Sequence, residues 1–111
     1  MKLTIDFGEP IIPKEKVLDI TEEDTNDFYG RASEVGRLNL FFVLLASIHH
    51  YEEEGDRVRA AHLCYLASCY VFTPLTPPAS WELGMYYMKR AIALNDQKEY
   101  RELLEWMKEG N

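Results

Sequence analysis

A chain of 111 residues with 47% apolar and 28% charged side chains reads as one globular domain, long enough to bury a core of its own. Seven Tyr, five Phe and two Trp exclude disorder over most of its length. A formal charge of −7 sets it against nucleic acid, whose phosphates would repel it in the absence of a basic patch.

Lys2 to Phe7 alternate polar and apolar, a period of two that predicts a half-buried strand or extended arm. Gly8-Glu9-Pro10 breaks it, and Ile11 to Ile20 is a second extended stretch that Pro13 holds to an edge or irregular path. Residues 1–20 are therefore expected as an extended or β arm. Because a lone two-stranded hairpin is marginal in water, the arm must lie on the helices or pair with another chain. Residues 21–111 are expected as a single helical domain. Thr21 opens it, with Asp24 three residues on in the form of a capping box. The segment Glu22 to Val35 has one narrow apolar face, Phe28, Ala32 and Val35, and a break is expected near Gly36.

The next helix spans Arg37 to Glu54, and its run Leu40 to Ala46 is apolar on all sides, which predicts partners all around it. Gly55 suits the left-handed position that ends a helix, and Asp56 suits the N-cap of the following one. That helix, Arg57 to Phe72, has only Ser68 as a clearly polar residue beyond Leu63 and reads as the centre of the core. Pro74, Pro77 and Pro78 predict a stiff extended link. Ser80 is the expected cap of a helix from Trp81 to Leu94, and Asp96 with Glu99 the expected capping box of a last helix from Gln97 to Glu109. The longest apolar run, Leu38 to Ile48, falls well short of the about 20 residues that span a bilayer. Met1 to Asp6 has no apolar signal core, so no membrane partner and a cytoplasmic location are expected. Cys64 and Cys69 point about 140° apart on one helix, so they read as buried thiols in a reducing setting.

Two helix–turn–helix units are visible, with turns at Gly55-Asp56 and Asn95-Asp96. Tyr51, Gly55-Asp56, Ala60 and Ala67 of the first unit resemble a tetratricopeptide repeat, and Ala91-Ile92 with Leu94-Asn95-Asp96 is similar to the end of a second one. The family's Leu-Gly pair is Ser47-Ile48 here, and its second-helix aromatic is Cys64. The resemblance implies a mainly α fold, a short TPR-like stack of antiparallel helical hairpins whose inner face holds a peptide or partner protein. The family's carboxylate clamp does not carry over, because the corresponding stretch offers Leu45, Ala46 and His49.

Chemistry is sparse. His49 and Glu53 share a helix face, but a closed metal site needs more ligands, and solvated side chains at a helix end are the expected reading. No phosphate-cradling glycine loop and no Gly-x-Ser-x-Gly occurs. No catalytic residue, cofactor or metal is expected, and the chain is read as no enzyme. The candidate binding residues are the positive corner Arg57, Arg59 and His62 and the aromatics Trp81, Tyr86, Tyr87 and Trp106. The expected function is that of a small non-catalytic helical-repeat adaptor for a protein or peptide partner. The alternative is an acidic inhibitor or regulator that occupies a basic site on a target protein, using Asp6, Glu9, Asp19, Glu22, Glu23 and Asp24. A homodimer through the arm is a further expectation.

Overall fold

Gly55 and Asp56 turn the chain as their chemistry requires. Gly55 has φ +75°, and the Gly55 and Asp56 amides donate to the Glu52 and Tyr51 carbonyls, the paired closure of a Schellman motif. The Asp56 carboxylate accepts from the Arg59 amide and caps the next helix. The structure, a computed structural model, describes residues 1–110. It holds six α-helices: α1 Lys14–Val17, α2 Glu22–Arg31, α3 Glu34–Glu53, α4 Arg57–Tyr70, α5 Ser80–Leu94 and α6 Lys98–Lys108. The radius of gyration is 13.0 Å, which matches the about 13 Å expected of a compact domain of this length.

α4 is the centre. It packs against α1, α2, α3 and α5, and every residue from Leu63 to Ser68 is buried. Small residues make this possible. Ala60, Ala61, Ala67 and Ser68 have no exposed surface, so neighbouring helices approach closely. The Ser68 hydroxyl donates to the Gly84 carbonyl of α5 at 2.6 Å. Gly84 meets the end of α4 tightly: a Cβ there would lie 3.2 Å from Phe72. No buried side-chain nitrogen or oxygen lacks a hydrogen-bond partner among the described residues.

The N-terminal residues depart from expectation. No strand forms among the described residues, and Lys14–Val17 is a helical turn inside the stretch expected as extended. An all-helical fold offers no sheet edge, so the arm's backbone pairs with side chains instead. The Ile12 amide donates to Ser47 Oγ at 3.0 Å, the Tyr51 hydroxyl donates to the Ile12 carbonyl at 2.6 Å, and Arg31 donates to the Leu3 carbonyl. Val17 and Ile20 are fully buried in the same core as α4. The alternation buries Leu3, but Phe7 is 80% exposed. There the Asp6 carboxylate accepts from the Gly8 amide and turns the chain away.

Other boundaries move for local reasons. The break between α2 and α3 falls at Ala32-Ser33 and not at Gly36, because Ser33 accepts from the Gly36 amide and draws Gly36 into the first turn of α3. The proline segment is no extended link. Val71–Leu75 forms a wide helical turn, interrupted at Thr73, and Thr76 and Ala79 are left-handed. Ala79, not Ser80, therefore occupies the N-cap of α5. Asp96 does not cap α6. Its carboxylate pairs with Arg101 at 3.1 Å, and Gln97 takes the cap position. The Thr21 box forms as expected, with both reciprocal bonds to Asp24.

Asp24 carries the acid sensitivity of this end. The Thr21 amide, foremost, and the N-terminal ammonium 3.1 Å away outweigh burial and hold its carboxyl below the ordinary carboxylate value. A depressed native value means that Asp24 stabilises the fold above the unfolded value of about 3.9 and ceases to as pH falls through the native one. Urea titrations at successive pH values should show wild type losing stability more steeply than Asp24→Asn below about pH 5; parallel curves would refute the assignment. At neutral pH, Leu66→Ala should cost about 2–5 kcal/mol as a buried cavity. Gly55→Ala should cost about 1–2 kcal/mol for its left-handed backbone alone. An equal or reversed ranking would remove α4 from the centre.

Candidate functional site

The positive corner is occupied by its own chain. Arg57 donates to the Leu94 and Ala93 carbonyls at 3.1 and 2.8 Å, placing a cation on the unsatisfied C-terminal end of α5. Arg59 donates to the Lys14 carbonyl and pairs with Asp56 at 2.9 Å. Burial opposes ionisation of Asp56, but the Arg59 amide and guanidinium outweigh it and hold the carboxyl low. His62 Nε2 lies 2.8 Å from the Ile20 carbonyl; a carbonyl only accepts, so that nitrogen carries the proton. The three side chains thus tie α4 to α5, to α1 and to the turn before α2.

The aromatic residues divide between different places. Trp106, 44% exposed, meets Phe72 edge-on with ring centroids 5.7 Å apart. Together they wall a groove of about 420 Å³ between the start of α2, the end of α4 and α6. Trp81, Tyr86 and Tyr87 are not among its walls. The Trp81 indole reaches the Met107 carbonyl at 3.4 Å. Tyr86 and Tyr87 sit edge to face at 5.0 Å, and Tyr87 meets Phe41 of α3.

The groove has an apolar floor and an acidic rim. α6 presents Glu99, Glu102, Leu103 and Trp106 to it, residues at the spacing of one helix face. Glu22 completes the rim from α2. Cys69, expected as buried, lies half-buried in the wall and donates its thiol to Glu22 at 2.8 Å. Burial first, then the Glu22 carboxylate, push the Cys69 thiol well above its ordinary value, and burial pushes Cys64 up to about 12. Both thiols stay protonated at neutral pH, the opposite of an activated nucleophile.

A second surface shares no residue with the groove. Val35, Leu38 and Phe42 project from one face of α3 and are 66, 48 and 62% exposed. The helix therefore lacks the surrounding partners that its composition predicted. Phe7 lines one shallow hollow with Phe42 and Ala46 and another with Val35, so the arm extends this apolar face. The sequence held a signal for part of it: the Leu40 to Ala46 run of α3 is apolar all round, and a helix near the edge of a small fold has neighbours on only some sides. The groove's signal was the α6 spacing of two acids, a Leu and a Trp.

Among the described residues no three His, Cys, Asp or Glu side chains converge to hold a metal ion, and no helix is long and apolar enough to cross a membrane. Comparison with protein-family models, curated proteins and solved structures returns no match.

The thiols offer a direct check of the groove's electrostatics. At pH 8, both should react with a disulfide reagent at least ~100-fold slower in the native protein than in denaturant. Glu22→Gln should accelerate Cys69 and leave Cys64 unchanged. A fast native thiol, or no response to Glu22→Gln, would contradict this picture.

Proposed function

We propose that the protein is a small non-catalytic helical adaptor that binds a partner protein or peptide. The observation that carries this reading is the unpartnered apolar face Val35, Leu38, Phe42 and Phe7. An apolar side chain left in water forgoes about 1.5–3 kcal/mol of burial, and clustered ones of this kind mark interaction surfaces. In this reading α3–α4 and α5–α6 are hairpins of a short TPR-like stack. The positive corner acts as internal cement, and the binding surfaces lie elsewhere. Two unpaired thiols accord with a reducing, cytoplasmic setting, and the charge of −7 disfavours nucleic acid as partner.

The acidic-regulator alternative draws less support. Asp24, the buried carboxylate of that set, is engaged by the N-terminal ammonium and by Thr21, so it is not displayed to a basic target.

Immobilised wild type and a Phe42→Asp variant, each exposed to the extract of its native cell, separate the outcomes. A partner retained by wild type and depleted about tenfold or more on the variant, in proportion to a lost interface anchor, is expected. Identical retained proteins on both would overturn the role of this face. Sedimentation of the two proteins alone distinguishes a second copy as the occupant, since a self-interface would dissociate in Phe42→Asp.

A further inference from the structure

The groove walled by Phe72 and Trp106 is separate from the α3 face, and its chemistry narrows what it accepts. Its volume of about 420 Å³ lies within the range of about 300–1,000 Å³ typical of ligand sites. Its walls include three carboxylates, Glu22, Glu99 and Glu102, and no lysine or arginine. Glu102 has one neighbouring cation, Lys98 at 3.6 Å, whose side chain is 86% exposed. Neither Glu22 nor Glu99 has a basic partner within salt-bridge distance among the described residues. The two acids act together on the interior: both contribute to raising the Cys69 thiol and the Tyr65 phenol, after burial itself. The groove thus combines two carboxylates without a basic partner, and a third met only by an exposed lysine, with an aromatic and aliphatic floor.

We propose that this groove receives an arginine or lysine side chain from a partner polypeptide. The aliphatic stem lies along Leu103, Phe72 and Trp106, and the cationic head sits among Glu22, Glu99 and Glu102. Long basic side chains are built for such a place, apolar along the stem and charged at the tip. An arginine head adds planar stacking on the indole and paired hydrogen bonds to a carboxylate. A bare metal ion suits the site poorly, because its floor supplies aromatic and aliphatic carbon where a hard cation needs several oxygens. The proposal rests on the binding-protein reading but uses a different surface, so the two fail separately.

Backbone-amide NMR with two capped synthetic heptapeptides tests it. One has a central Leu-Arg-Leu, and the other replaces the arginine by neutral citrulline. The arginine peptide should shift the Cys69, Glu99 and Trp106 signals saturably and bind about tenfold tighter than the citrulline peptide. Raising salt from about 50 to about 500 mM should weaken it several-fold, since the rim is solvent-facing. Glu99→Gln/Glu102→Gln, two exposed substitutions that leave the core untouched, should reduce binding about fivefold or more. Equal affinity for both peptides, shifts confined to the Val35 and Phe42 face, or no saturable shift with the arginine peptide would each overturn the groove assignment. If that happens while Phe42→Asp still depletes a captured partner, the adaptor reading stands without it; if capture is also indifferent to Phe42, both fall.

Discussion

The enclosure of α4 from Ala60 to Tyr70, where no residue is exposed, is the constraint from which the rest of the structure follows. A helical stretch with no exposed flank must be met by elements all around it, and a small chain has few to spend. α1, α2, α3 and α5 each turn a face to it, and α6, packed on α5, also meets it directly where Tyr100 stacks on Tyr65 with ring centroids 5.3 Å apart. Close approach is possible because α4 carries alanine and serine where its neighbours come nearest, and because Gly84 in α5 has no Cβ to collide with Phe72. The one serine in the apolar stretch, Ser68, donates to the Gly84 carbonyl at that same contact. Packing and polar satisfaction therefore depend on one helix spacing.

Around this centre, charged and phenolic side chains hold the connecting segments. Arg37 donates to the Tyr29 carbonyl with its guanidinium 4.0 Å from that ring's centroid, and the Tyr70 hydroxyl donates to the Arg37 carbonyl, so α2, α3 and α4 meet at one point. Tyr51 and Ser47 hold the residues before α1, and Arg57 closes the end of α5. Backbone groups that a sheet would have satisfied are satisfied by side chains. This explains how residues with strand-like alternation become an irregular segment laid over helices.

The cost of surrounding α4 falls on α3 and α6. With one flank of each committed to the core, the opposite flanks face outward. α3 spends apolar residues there, and α6 spends acids beside a tryptophan. The two outward surfaces differ in kind: one is broad and apolar, the other a groove with a negative rim. They suit partners of different chemistry, and neither uses the arginines that first suggested a binding corner.

Local chemistry was legible in the chain itself. The Thr21 box and the Gly55 turn with its Asp56 cap rest on groups within a few residues of one another, and the apolar run of α4 announced its central place. Where two local solutions competed, the sequence left the choice open: Asp96 could cap α6 or pair with Arg101, and Ser33 displaced the break expected at Gly36. The backbone carbonyls that Arg57, Arg59 and His62 engage lie 36 to 45 residues away in the chain, so no window of sequence revealed that these side chains were spoken for. The same holds for Phe7, Val35 and Phe42, whose exposure depends on which helices arrive beside α3. The sequence by itself determined that α2 to α6 form and where the tight turn at Gly55-Asp56 falls, because those are short-range matters of backbone hydrogen bonds and periodicity. Only the tertiary structure decided which apolar and charged groups remain for a partner, because that is what is left after the distant parts of the chain have taken theirs.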